Sequence, residues 1–136
     1  MTIITLLTDF GTADSYVAEL KGVLLGRVPD AVLVDLTHEV PQRDIRSAAY
    51  ILGRTWYRFP ASTVHLAVVD PGVGTSRAAL AIRAHDQYFV APDNGILTPV
   101  LRDAEVEAVM LPLPTTAAPT FHGRDVFAPA AAQLAR

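Results

Sequence analysis

Three short apolar runs, each reaching an aspartate and each separated from the next by a segment of helical spacing, constrain this chain more than any other feature. Ile3 to Leu7 leads into Thr8-Asp9-Phe10-Gly11, Ala31 to Leu36 finishes with Asp35, Thr37 and His38, and Val64 to Val69 leads into Asp70-Pro71-Gly72. The uncharged run from Val64 to Val69 reads as a strand buried on both faces of a parallel sheet. Between the first two runs, Val17, Leu20, Leu24 and Val28 keep helical spacing from Tyr16 to Val28, after a cap at Asp14 or Ser15 and before a stop at Pro29. Between the second and third, Pro41 and Asp44 open a helix whose apolar face is Ile45, Ala48, Ala49, Leu52 and Trp56, closing near Phe59-Pro60. A β-α-β-α-β order implies an α/β fold, Rossmann-like, with a mostly parallel sheet flanked by helices and right-handed crossovers. No G-x-G-x-x-G follows the first run, so a dinucleotide site lacks its best support.

Composition bounds the rest. A length of 136 residues predicts one domain, 1–136, with a single core. With 51% hydrophobic and 18% charged residues the chain is neither disordered nor membrane-embedded in character, and no apolar run reaches bilayer length. Met1 to Thr5 lacks a basic region and a cleavage site, so a cytoplasmic protein is expected. The absence of cysteine removes disulfides, thiolate catalysis and Cys-based zinc sites together. A net charge of -3 and the lack of a basic stripe with interleaved aromatics argue against nucleic acid as a partner.

Beyond the third run, Ala78 to Ile82 and Tyr88 to Ala91, separated by residues 83–87, predict a hairpin or a pair of edge strands. Asp93-Asn94-Gly95 is a turn that can cap a short helix with Leu97, Val100 and Leu101 inward, and Glu105 to Leu111 predicts a further strand. Pro112 to Pro119 has loop composition. Phe127, Ala130, Ala131 and Leu134 are spaced for a last helix, and Pro129 fits only in its first turn, so that helix is expected to start near Phe127.

In open α/β sheets ligands bind beyond the carboxyl ends of strands, which is where Asp9, Asp35 and Asp70 fall. Aspartate also ends strands because it caps helices and makes turns, and Asp35 is better read that way. At the end of a first strand a carboxylate can instead accept both hydroxyls of a ribose, which keeps Asp9 open as a ligand group. Asp70-Pro71-Gly72-Val73 predicts a turn leaving the strand, and Arg77, across a loop that includes Gly74, can fold back onto Asp70 or serve as a surface cation. His122, between Phe121 and Gly123, is the least ordinary of the four histidines. His38, His65 and His85 lie in or beside strands and loops with no second signal. No histidine or acid spacing predicts a metal site.

Four segments in register carry a resemblance. Thr8-Asp9-Phe10-Gly11, the Val-Val-Asp-Pro-Gly-Val-Gly run ending at Gly74 with Arg77 following, Ala91-Pro92-Asp93-Asn94-Gly95, and Phe121-His122-Gly123-Arg124-Asp125 together resemble the S-adenosyl-L-methionine (SAM) hydroxide adenosyltransferases. These hydrolyse SAM to adenosine and L-methionine and are similar to the fluorinase and chlorinase that cleave the same bond with halide. The resemblance implies that Asp70, Arg77 and His122 form the water-activating triad, and that Asp9 and Gly123 bind substrate, Asp9 through the ribose diol. In the fluorinase the positions of Asp70 and His122 are changed, so retaining all three implies water as nucleophile. SAM is then the substrate and no metal or cofactor is needed. The resemblance further implies a homotrimer whose sites are completed by a second, C-terminal β-domain, which is expected to be absent from this chain. Competing readings are a halide-using SAM lyase and a nucleoside- or SAM-binding domain without turnover. A phosphotransferase lacks both a metal-ligand pattern and a phosphate-cradling loop.

Overall fold

A computed structural model describes residues 2–71, 77–112 and 122–136. Six strands form one sheet: β1 (Ile3–Thr8), β2 (Val32–Thr37), β3 (Val64–Val68), β4 (Ala79–Ala84), β5 (Gln87–Pro92) and β6 (Glu107–Met110), in the order β2-β1-β3-β5-β4-β6. β1 pairs parallel with β2 and β3, and β3 pairs parallel with β5. β4 runs antiparallel between β5 and β6. The fold is α/β, with helices on both faces of the sheet.

Alternation along β1 sends Ile4 and Leu6 to one face and Leu7 to the other. The first face is covered by α1 (Tyr16–Arg27) through Leu20 and Leu24, and by α4 (Ala128–Ala135) through Ala128, Ala131 and Ala132. Small alanines let α4 lie close to the sheet, and Phe127 just before it is fully buried. The second face is covered by α2 (Ile45–Thr55), through Ala48 and Leu52, and by the short α3 (Thr98–Leu101), through Val100. β6, by contrast, leaves all four of its residues exposed, Val109 and Met110 among them.

Local chemistry explains most boundaries. Asp44 caps α2 by accepting from Ser47 N at 3.0 Å. At α1 it is Asp14 that accepts from Tyr16 N, at 2.8 Å, while the capping position itself belongs to Ser15. The five-residue spacer expected between β4 and β5 shrinks to two residues, His85 and Asp86, both with left-handed φ (54° and 59°). Two successive positive φ values make the tight turn whose twist matches a hairpin, a conformation that His-Asp does not announce. Neither strand is an edge: β5 is held between β3 and β4, and β4 between β5 and β6. The last helix begins where expected, directly after Phe127, and a further helical turn runs into it. A π-helical turn, Gly123–Phe127, precedes α4, and Pro129 then sits in the first turn of α4, where its missing N–H is tolerated. The turn expected at Asp70-Pro71-Gly72-Val73, together with Gly74, and most of the loop expected from Pro112 to Pro119 fall outside the described residues.

The strand order sets the site. From β1 the chain steps to β2 on one side and then returns to β3 on the other, so β1 and β3 diverge at a topological switch point. Crevices at such points, beyond the carboxyl ends of the strands, are where sheets of this kind bind ligands.

Candidate active site

β1 and β3 are aligned so that Thr8 is level with Val68. Asp9 and Asp70 therefore leave the same edge of adjacent strands, at the switch point. Asn94 secures the exit of β3: its Nδ2 donates to Val69 O at 2.9 Å and its Oδ1 accepts from Ile96 N at 3.2 Å. The turn expected at Asp93-Asn94-Gly95 precedes the short α3, and the Asn94 side chain also braces the residue before Asp70.

Asp70 and Arg77 meet face to face. Arg77 Nε donates to Asp70 Oδ1 at 3.0 Å and to Oδ2 at 3.1 Å, and Arg77 Nη2 also donates to Oδ2. The same Nη2 donates to His122 Nδ1 at 2.8 Å. Side-chain exposures of 9% for Arg77 and 6% for Asp70 mean that this ion pair is largely desolvated, unlike a surface pair. His122 is 5% exposed. The Arg77 guanidinium carbon lies 5.3 Å from the centre of the buried Phe127 ring, so the cation is held by a carboxylate, an imidazole and an aromatic ring. His122 comes from the residue before the π-helical turn, which Arg124 ties to α1 through Glu19 at 3.0 Å.

Three of the five residues singled out in the sequence are thus bonded together, with Arg77 at the centre. Gly123 begins the turn immediately after His122. Asp9 is not bonded to the trio; it accepts from Arg43 N at 2.8 Å and shares only their edge of the sheet.

Hydrogen-bond polarity decides what the trio can do. A guanidinium only donates, so His122 Nδ1 must accept, and the proton of the neutral ring sits on Nε2. The neutral imidazole is therefore a donor at Nε2 and has no lone pair left to take a proton from water. Asp70 keeps acceptor capacity beyond its bonds to Arg77. Among the described residues no group of three or more His, Cys, Asp or Glu side chains is arranged to hold a metal ion.

The family described as SAM hydroxide adenosyltransferase N-terminal domain matches residues 4–136. The chain belongs to that family. It is 49% identical to an (R)-S-adenosyl-L-methionine hydrolase of Thermus thermophilus over 95% of this chain and 55% of that protein. A crystal structure of an uncharacterized conserved protein from Thermotoga maritima superposes with a TM-score of 0.91 at 45% identity, over 96% of this chain and 53% of the other. A fluorinase of Nocardia brasiliensis is more distant, at 29% identity over 98% of this chain and 54% of that enzyme. The chain spans about half the length of the curated relatives it matches.

Proposed function

We propose that this chain carries the water-activating half of a SAM hydrolase, which converts SAM and water to adenosine and L-methionine. The observation that supports this reading most is the bonded Asp70–Arg77–His122 cluster at the switch point between β1 and β3. In this reading a water molecule held at the Asp70–Arg77–His122 cluster loses a proton to Asp70 as its oxygen bonds to ribose C5′. The C5′–S bond breaks with its electron pair going to sulfur, so the sulfonium leaves as the neutral thioether of methionine. The leaving atom needs no general acid, and the reaction needs no metal or redox cofactor.

Water is a poor nucleophile, so the barrier falls on preparing it. Holding the oxygen in line with the C5′–S bond can supply up to roughly 7 to 11 kcal/mol in well-oriented systems. Proton acceptance by a positioned carboxylate adds about two to four powers of ten in rate. Asp9 holds the ribose diol and Gly123 lies against substrate. A second domain of a neighbouring subunit completes the adenine contacts in a cytoplasmic homotrimer. Incubation of the complete protein with SAM in 18O-labelled water is expected to give adenosine labelled at O5′. Release of 5′-halo-adenosine in fluoride or chloride, with no adenosine, would instead mark a halide enzyme.

A further inference from the structure

The loop that carries Asp9 does not rest on its own bonds. Thr8 Oγ1 meets His38 Nδ1 at 2.7 Å, and Gly11 N donates to His38 O at 2.7 Å. Thr12 Oγ1 donates to Glu39 Oε1 at 3.2 Å, and Arg43 N donates to Asp9 Oδ2 at 2.8 Å. Four bonds thus bind residues 8–12 to residues 38–43, which connect β2 to α2. Arg43 reaches its position with a φ of 63°, a left-handed conformation that is unfavourable for a non-glycine residue and persists only where surrounding contacts enforce it.

His38 is the hub. It is 5% exposed, and on its far side Nε2 lies 2.8 Å from Asp35 Oδ1, while Asp35 Oδ2 accepts from Lys21 Nζ at 2.8 Å. Burial alone would raise the Asp35 pKa, but the bonds from Lys21 and His38 outweigh it and hold the carboxyl below its usual value. An ionised Asp35 can only accept, so His38 Nε2 donates to it, and in the neutral ring Nδ1 accepts from the Thr8 hydroxyl. The Thr8 oxygen then accepts from Phe10 N at 3.2 Å. The chain of bonds runs unbroken from Lys21 to Phe10.

A hydroxyl, an imidazole and an acid in line resemble the parts of a nucleophilic triad. Here the hydroxyl is fully buried, bonded to His38 and engaged by Phe10 N, so no substrate atom can reach it. We propose that His38 is a positioning residue for Asp9: by fixing Thr8 on one side and Gly11 on the other, it sets the direction in which the Asp9 carboxylate faces the ribose. This rests on the reading of Asp9 as the diol-binding group.

Three variants of the complete protein separate the two faces of the ring. His38→Asn keeps an acceptor at the place of Nδ1, towards Thr8. His38→Gln keeps a donor at the place of Nε2, towards Asp35, and loses Thr8. His38→Ala loses both. In SAM hydrolysis, His38→Gln and His38→Ala are expected to raise KM about fivefold to tenfold with kcat within about threefold of wild type, and His38→Asn to keep KM within about twofold. Loss of folding alone lowers the active fraction, and so apparent kcat, without moving KM. If His38→Ala does not fold, the Asn and Gln pair still decides. Unchanged KM in a folded His38→Gln protein, or an equal rise in His38→Asn, would overturn the proposal. Asp9→Asn is measured alongside: if its KM is unchanged, the ribose reading of Asp9 fails. If its KM rises while the His38 variants stay at wild type, only the positioning role fails.

Discussion

The centre of the candidate site is a cation held by three different groups. Because Arg77 and Asp70 are both nearly excluded from solvent, removing one leaves the other buried without its counter-charge. Arg77→Ala is expected to destabilise the chain by about 3 to 5 kcal/mol, read as a lowered midpoint in urea unfolding. Asp70→Asn keeps the shape and a hydrogen-bond acceptor for Arg77 but cannot take a proton from water. In the complete protein it should lower kcat for adenosine release by at least about a hundredfold while KM stays within about threefold. A rise in KM with normal kcat would mean that Asp70 binds substrate and does not accept the proton. Asp35 and His38 show what a residue-level reading of sequence lacks. Asp35 looks like an ordinary turn acid and His38 carries no second signal, yet the two bond at 2.8 Å and link Lys21 to Thr8.

At the scale of elements, two helical glycines differ in what a side chain added there would meet. Gly53 lies in α2, and a Cβ built there would come 3.0 Å from Pro99 Cβ in α3, a ring atom with little freedom to yield. Gly22, exposed in α1, has no heavy atom within 4 Å of such a Cβ. Ala is favoured over Gly inside a helix by about 1 kcal/mol, but overpacking costs about 1 to 3 kcal/mol. Gly22→Ala is therefore expected to stabilise by about 0.5 to 1 kcal/mol and Gly53→Ala to destabilise by about 1 kcal/mol, both measured by urea unfolding. Stabilisation by both would mean that α3 shifts freely. Periodicity located α1, α2 and the first three strands to within a few residues, because it depends on neighbours close in the chain. It missed the His85-Asp86 turn, whose two left-handed residues are imposed by the β4–β5 pairing and not by their own preferences.

For the whole molecule, the sheet interior contains a titratable group in the middle of the core. His65, 1% exposed, lies between Thr5 Oγ1, 2.7 Å from Nδ1, and the Gln87 amide oxygen at Nε2, with its ring stacked on Phe89 at 5.0 Å. Burial pushes its pKa down from 6.5 to about 4, against a smaller upward pull from the Gln87 bond. Unfolded chains bind this proton near pH 6.5, whereas the folded chain does not until about pH 4. Between those values the unfolded state holds more protons, so stability falls as pH is lowered, by a total on the order of 3 kcal/mol for this group. His65→Leu strands Thr5 and Gln87 and starts from a lower stability, but its urea midpoint should change less between pH 6.5 and 4.5 than that of the wild type. An equal slope in the two proteins would place the acid sensitivity elsewhere.

Local sequence carried the alternation of strands and helices, the burial of β3 and the acids at the strand ends, because hydrophobic periodicity and turn chemistry act over a few residues. Family resemblance added the roles expected, and proposed above, for Asp9, Asp70, Arg77, His122 and Gly123. That Arg77 stands between Asp70 and a histidine 45 residues further along, and so which imidazole nitrogen carries the proton, follows from the fold and from nothing local. The fold alone showed that His38 reaches back 30 residues to Thr8 and steadies the loop of Asp9. An imidazole's tautomer and a carboxylate's orientation are set by the partners the fold brings to them, and those partners lie beyond the range over which the local sequence speaks.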